Sequence, residues 1–280
     1  MMMDSFARCQ QRQGEGAAGG MSVFRGCGYN NKMTGNVRFI FWRRILPAVA
    51  LVLLATRAIA GHFPSFLAPV RAKLLGARTL DRALEDIDPG VKKSAEDSLI
   101  SAGCQIPAQR LAFLAMKEEK SLEAWCMDAG GNWRFIKEYK VQAASGGPGP
   151  KLREGDLQVP EGIYPIEGLN PNSRFHLSMK VGYPNKFDRE MARRDNRKNL
   201  GGDIFIHGSH YSIGCLAMGD GPIEEIFYMT ARTGHSRTQA IIIPWDFRKK
   251  PPSAPAKAPS WTDGLYRELA RAVAEYHRKD

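Results

Sequence analysis

A histidine and a cysteine flank a short polar turn in this sequence, where residues 207–215 read HGSHYSIGC. A thiol becomes a strong nucleophile only as the thiolate, which requires a base or a cation close by. An imidazole has a pKa suited to act as that base near neutral pH. The stretch therefore predicts a nucleophilic Cys215 whose proton is taken by His207.

The glycines beside these two residues suit the backbone of such a site. Gly214 lets the chain turn sharply before Cys215, and we expect its amide to face the oxyanion of a tetrahedral intermediate. The Gly208 carbonyl is expected to orient the His207 ring by a hydrogen bond, a role that an aspartate fills in other enzymes. His210 and Ser212 are expected to line the substrate site.

Two other interpretations of the same residues remain open. A free cysteine is among the most buried residue types, so Cys215 can be an inert core thiol and His207 a core histidine. A zinc-dependent hydrolase is the second, because His207, His210 and Cys215 are all zinc-type ligands. No fourth ligand stands at the usual spacing, so we expect neither a metal nor another cofactor.

Strand-forming sequence surrounds the histidine and the cysteine. Residues 203–206 predict a strand that runs into His207, and an apolar run at 240–245 predicts another. Further upstream, alternating segments separated by turn signals predict an antiparallel meander. Its strands are expected at residues 110–116, 122–127 and 133–141, with one more strand at 175–181. The sequence thus predicts one mainly β domain with a few helices.

Helical patterns occur on both sides of these strands. Residues 81–103 predict two helical pieces broken at an Asp-Pro-Gly sequence, and residues 222–232 and 265–277 predict two later helices. Residues 249–259 are rich in Pro, Lys and Ala, which indicates a linker. Residues 186–198 form a basic insertion that we expect to be helical or lid-like. The last helix is expected either to dock on the domain or to protrude.

Residues 38–60 predict an export signal. Arginines precede an apolar run at 45–55, and Ala58-Ile59-Ala60 supplies the small-x-small pattern of a cleavage site. The run is shorter than the ~20 residues of a membrane span, so we expect cleavage after Ala60 and a location in the periplasm or cell envelope. Retention as a membrane anchor is the alternative, and no other membrane contact is expected. Residues 1–37 predict a disordered or mis-assigned leader.

The net charge limits the classes of partner that the protein is expected to bind. The formal net charge of +11 favours anionic partners. The sequence has no zinc-finger spacing, no RNP-type aromatic stretch and no basic heptads, so nucleic acid is not expected.

Cleavage of the signal would leave three cysteines, and an odd number in an oxidising compartment indicates a free thiol with a role. Cys104 and Cys126 can pair, which would leave Cys215 free.

The H-G and S-x-G-C motifs at residues 207–208 and 212–215 resemble the signature of the L,D-transpeptidase catalytic domain of the YkuD type. The resemblance extends over residues 110–245. Three upstream segments agree with it: a glycine turn, a Pro-x-Gly-x-aromatic segment and a segment typical of the murein L,D-transpeptidase or YafK-like branch, at residues 144–147, 160–164 and 169–185.

The resemblance implies an α+β, mainly β domain of sandwich or barrel form. It also implies attack by Cys215 on an amide carbonyl of diaminopimelate in peptidoglycan stem peptides, with His207 as base and Gly208 as the residue whose carbonyl holds that base. The acyl group would then pass to an amine or to water. Stem peptides are the partner that this implies, with wall-attached envelope proteins as a second one.

Departures from the family pattern leave the acyl acceptor open. Ile213 stands where many members have histidine, and Ala217 where many have arginine or asparagine. An L,D-type amidase that releases peptidoglycan-linked protein and a catalytically dead wall-binding module therefore remain alternatives. Arg174 is expected to bind a substrate carboxylate, since arginine suits bidentate pairing, and His176 lies beside it. Both can equally be loop-surface residues.

The expected organisation has five parts. Residues 1–37 are the leader and 38–60 the signal peptide, followed by a spacer with short helices at 61–107. Residues 108–248 form the L,D-transpeptidase-like domain, and residues 249–280 form the Pro/Lys linker and the C-terminal helix.

Overall fold

The computed structural model describes residues 76–278. The predicted leader, the signal peptide and the first part of the predicted spacer lie outside the described residues. Within residues 76–278, no helix is long and apolar enough to cross a membrane.

Nine strands form one curled sheet in the order β3-β2-β1-β9-β5-β6-β7-β8-β4. Adjacent strands are antiparallel except for the parallel pairs β1–β9 and β7–β8. The strands are β1 (Leu111–Met116), β2 (Ser121–Met127), β3 (Trp133–Lys140), β4 (Ala143–Ala144), β5 (Gly162–Asn170), β6 (Ser178–Val181), β7 (Phe205–His207), β8 (Leu216–Ala217) and β9 (Thr238–Ile243). This architecture confirms the mainly β, α+β class and the predicted meander of β1, β2 and β3.

Five helices pack around the sheet in the described part of the chain. They are α1 (Leu80–Asp86), α2 (Pro89–Ser101), α3 (Lys186–Arg194), α4 (Asp220–Thr233) and α5 (Thr262–Val273). The predicted break between the first two is present, because the Asp88 side chain caps α2 and Pro89 occupies its first turn. Asn185 and Asp188 form a capping box that begins α3.

The central half of the sheet, β3-β2-β1-β9-β5, lies between two apolar clusters. Side chains alternate along a strand, so Leu111 and Phe113 of β1 enter a first cluster, whereas Ala112 and Leu114 enter a second. Residues of α1, α2 and α4 belong to the first cluster, and residues of α5 to the second. The C-terminal helix therefore docks on the sheet.

The outer half of the sheet, β6-β7-β8-β4, has strands of only two to four residues. Met179, Ile206 and Leu216 extend the first cluster from one face of these strands. The second cluster contains no residue of the outer half among those described. The opposite face, which carries His207, is therefore not covered by the apolar side of α5.

The segment before β1 packs as part of the domain. Ala83, Leu99 and Cys104 lie in the first cluster, and a disulfide joins Cys104 to Cys126 of β2. We predicted a spacer for this segment. Its burial depends on contacts with residues far along the chain, which a local sequence pattern does not show. The disulfide leaves Cys215 as the free cysteine of the described residues.

Candidate functional site

His207 and Cys215 lie on the same face of adjacent strands. β7 and β8 are parallel, with Ile206 paired to Leu216 and His207 to Ala217. Cys215 immediately precedes β8 and stands two positions before Ala217, so the alternation of side chains places it on the His207 face. The sequence thus brings its predicted base and nucleophile to one surface of the outer half.

A backbone carbonyl fixes the orientation of the His207 ring. Nδ1 lies 2.5 Å from the carbonyl oxygen of Gly208, and the ring packs against Phe175 with centroids 4.7 Å apart. A carbonyl oxygen only accepts, so Nδ1 carries the proton and Nε2 is the basic nitrogen. Burial lowers the pKa of His207, while the Gly208 hydrogen bond opposes that shift. The imidazole is therefore neutral at neutral pH.

The Cys215 thiol is partly buried and rests against the backbone before β7. Its Sγ donates to the carbonyl oxygen of Asp203 at 3.7 Å, and among the described residues no hydrogen bond joins it to His207. Burial raises the pKa of Cys215, the Phe205 backbone lowers it, the Asp203 charge raises it and the Lys151 cation lowers it. The resting pair is thus a neutral thiol and a neutral imidazole.

Hydroxyl groups already occupy the Gly214 amide, which was expected to face an oxyanion, and the neighbouring Cys215 amide. The Gly214 N–H donates to Oγ of Ser145 at 2.5 Å, and the Cys215 N–H donates to Oγ of Ser212 at 2.9 Å. The Ser212 hydroxyl in turn donates to the Cys215 carbonyl. Gly214 has a φ of +88°, a left-handed conformation that favours glycine, as the predicted sharp turn requires.

Ser145, which follows β4, was not among the site residues predicted from the sequence. Its segment at residues 144–147 was noted only for its glycines. The contact with Gly214 bridges 69 positions and depends on the pairing of β4 with β8. The only signal available was a hydroxyl residue shortly after the strand predicted at residues 133–141, and that signal is weak.

Gly208 stands in a tightly filled turn. A Cβ atom at this position would lie 2.7 Å from both the Phe175 carbonyl oxygen and an Asp220 carboxylate oxygen. The same Asp220 oxygen accepts a hydrogen bond from the Ser209 N–H at 2.7 Å. The turn after His207 is thereby tied to the first residue of α4.

The other predicted site residues have different surroundings. Arg174 is exposed and forms no ion pair with a described residue. His176 directs Nε2 to the Glu224 carboxylate of α4 at 2.7 Å, so this nitrogen pairs within the protein and not with a ligand. His210 is exposed, and its ring lies beside Gly219.

A buried ion pair anchors the loop that carries Ser145. Lys117 donates at 3.0 Å to the carbonyl oxygens of Gly149 and Val159 and to the Glu161 carboxylate. The second carboxylate oxygen of Glu161 accepts from the Tyr266 hydroxyl of α5 at 2.7 Å. Burial lowers the pKa of Lys117, while the Glu161 charge opposes that shift. The network joins the loop to the central half and to the C-terminal helix.

Among the described residues, no group of three or more His, Cys, Asp or Glu side chains is arranged to hold a metal ion. His207 and Cys215 contact the backbone instead.

No family model matches the chain. The protein described as "Putative L,D-transpeptidase YafK" of Escherichia coli (strain K12) is 35% identical over 134 residues, which cover 46% of this chain and 52% of that protein. This similarity confirms the expected relationship to the L,D-transpeptidase, YafK-like family. The match to YafK spans about half the length of that relative.

Two solved structures are similar at lower identity. The helical cell shape determining protein Pgp2 of Campylobacter jejuni is 21% identical, with a TM-score of 0.41 over 64% of this chain and 61% of that chain. Bd1075 of Bdellovibrio bacteriovorus is 22% identical, with a TM-score of 0.37 over 60% of this chain and 56% of that chain. TM-scores this low carry no argument about the function of this chain.

Proposed function

We propose that the protein is an acyltransferase of the cell envelope that acts on peptidoglycan stem peptides, with Cys215 as nucleophile and His207 as general base. The observation that supports this most strongly is the placement of both side chains on one face of adjacent strands. The Gly208 carbonyl holds Nδ1 of His207, which leaves Nε2 as the proton acceptor. The similarity to YafK agrees with this chemistry.

Acyl transfer at this site has two stages. The thiol proton passes to Nε2 of His207, and the thiolate attacks the carbonyl carbon of the stem-peptide amide. The tetrahedral intermediate then expels the amine, which takes the proton from His207, and a thioester remains on Cys215. In the second stage an amine or water attacks the thioester, His207 removes its proton, and the departing thiolate takes that proton back, which restores the neutral pair.

In the resting site the proton is on the sulfur of Cys215. Since burial raises the pKa of Cys215 and lowers that of His207, an ion pair is not preformed at neutral pH. The hydrogen bond to the Asp203 carbonyl also favours the protonated thiol. Cys215 must turn from Asp203 towards His207 before attack, and we expect a bound substrate to favour that rotamer.

Substrate binding and location belong to the same proposal. Arg174 is exposed next to Phe175, whose ring packs on His207, so its guanidinium is suited to hold a stem-peptide carboxylate near the site. The net charge of +11 favours association with an anionic wall polymer. The export signal predicted at residues 38–60 would deliver the protein to the envelope.

Mass analysis of purified muropeptides after incubation with the protein tests this function. We expect a crosslinked dimer, an exchanged terminal residue or a freed protein tail, each of which has its own mass. Cys215→Ser should abolish every product, and His207→Ala should lower the rate by about 10²–10⁴-fold, the usual contribution of general base catalysis. The exposed His235→Ala is the matched control and should retain wild-type rates.

The same assay separates the alternatives. Wall binding without any product would identify a binding module and refute the proposed activity. Products that survive in Cys215→Ser but disappear with a chelator would favour zinc-dependent hydrolysis. Water as acceptor would give the shortened stem alone, without a crosslinked or exchanged product.

A further inference from the structure

Ser145 lies opposite Cys215 in the outer half of the sheet. β4 and β8 are antiparallel, with Ala143 paired to Ala217 and Ala144 to Leu216. The same register continued by one residue sets Ser145 against Cys215. Directly opposed residues of an antiparallel pair project to the same face, so the Ser145 hydroxyl shares its face with the thiol and with His207.

Oγ of Ser145 accepts one hydrogen bond, and its own O–H remains available as a donor. The Gly214 N–H donates to it at 2.5 Å, and no described residue accepts a hydrogen bond from it. Donation to a hydroxyl oxygen polarises the O–H and makes it a stronger donor in turn. Ser145 is half-buried, so the residue is not sealed in the core.

We propose that Ser145 is a further catalytic residue, whose hydroxyl donates a hydrogen bond to the oxyanion formed when Cys215 attacks a carbonyl. The inference rests on the proposed thiol acyl transfer. It also changes the role expected of Gly214, because the Gly214 amide then acts through the Ser145 hydroxyl and does not contact the oxyanion. Stabilisation of the intermediate thus comes from a donor that directly follows β4 and lies outside the catalytic motif.

Ser145 keeps its proton throughout the reaction. The sulfur–carbon bond forms as the carbonyl π pair moves onto oxygen, and the Ser145 O–H donates to that oxygen without transferring its proton. The carbonyl re-forms as the leaving group departs, and the proton taken from the thiol moves from His207 to that group. The hydrogen bond is stronger to the oxyanion than to the neutral carbonyl, so it favours the transition state.

The loop around Ser145 keeps its position without this hydroxyl. The Gln158 side-chain amide donates to the carbonyl oxygens of Gly147 and Gly149 at 2.7 and 2.6 Å. Lys117 holds the Gly149 carbonyl from within the core. The Ser145 carbonyl accepts from the Val159 N–H. Because these anchors use other atoms, Ser145→Ala should remove the donor and leave the loop folded.

Two reactions of the same sulfur test the assignment. Iodoacetamide alkylates Cys215 by displacement at carbon and forms no oxyanion, whereas p-nitrophenyl acetate acylates it through a tetrahedral oxyanion. We expect Ser145→Ala to slow acylation by about 10²-fold, as removal of an oxyanion donor does elsewhere, and to leave alkylation within about twofold. Ser145→Thr keeps the hydroxyl and should retain most of the acylation rate.

Ser98→Ala is the matched control, because the Ser98 hydroxyl donates to the Ser94 carbonyl within α2. It should leave both rates unchanged. Equal slowing of both reactions by Ser145→Ala, or no effect on either, would overturn the inference while the nucleophile assignment stands. Failure of iodoacetamide to label Cys215 in the wild-type protein would overturn the proposed function itself, and this inference with it.

Discussion

The two halves of the sheet differ in length and in cover. Strands of the central half have six to nine residues and lie mostly between two apolar clusters. Strands of the outer half have two to four residues, and the second cluster does not reach them within the described chain. We therefore expect stability to come mainly from the central half, and we propose that a substrate reaches Cys215 from the face that α5 leaves uncovered in the outer half.

Phe113→Ala tests this division with the largest expected effect. Phe113 is fully buried at the middle of β1, so its truncation should lower the free energy of unfolding by about 3–5 kcal/mol. Chemical denaturation measures that loss. Below the unfolding transition, iodoacetamide should alkylate Cys215 at the wild-type rate, because Phe113 pairs with Ala124 of β2 and Ala240 of β9 and not with a strand that carries the site. Slower alkylation in the folded variant would contradict the division.

Gly208→Ala should instead affect the site more than the stability of the fold. The new Cβ would clash with the Phe175 carbonyl and with Asp220, so the turn that orients His207 must shift. Misplacement of a catalytic group by ~1 Å can cost about 100-fold in rate, and we expect acylation of Cys215 by p-nitrophenyl acetate to fall by about that factor.

Gly221→Ala is the control for that change, because a Cβ there meets nothing within 4 Å. It lies in α4, where alanine is favoured over glycine by about 0.5–1 kcal/mol. Acylation should be unchanged in this variant. Equal losses in the two variants would mean that any added methyl group near α4 disturbs the site, and that Gly208 has no special role.

Asp188 offers a smaller test at the border between the halves, where α3 meets Tyr164 of β5. Burial raises the pKa of Asp188 to about 6, above its ordinary value of 3.8. The folded state therefore disfavours the charged carboxylate, and this penalty is absent well below pH 3.8, grows as the pH rises towards 6 and is complete above it. Asp188→Asn keeps an acceptor for the Asn185 N–H.

We expect Asp188→Asn to be more stable than wild type by about 1–3 kcal/mol at pH 7.5, and equally stable at a pH well below 3.8. Denaturation at the two pH values measures the difference. A single transition at both would also indicate that the halves unfold together. A variant that is less stable at pH 7.5 would mean that the carboxylate is stabilised in the folded state.

Local patterns in the sequence predicted the meander, the break between α1 and α2, and the Cys/His pair, because each depends on neighbouring residues. The nine-residue strand β5 was missed, since Gly162, Pro165 and Gly168 are strand breakers in a local pattern. β4 and β8 have two residues each and are too short to show a period. The Ser145 contact could not be predicted because it exists only once those two strands pair.

The bond between Tyr266 and Glu161 links residues 105 positions apart. A chain delivered from its N-terminus, whether from the ribosome or through a secretion channel, presents Cys215 well before Tyr266. Until Tyr266 arrives, the buried carboxylate of Glu161 lacks one of its donors and the Ser145 loop lacks an anchor. The loop beside the candidate site therefore gains its last anchor only after the C-terminal helix has been delivered.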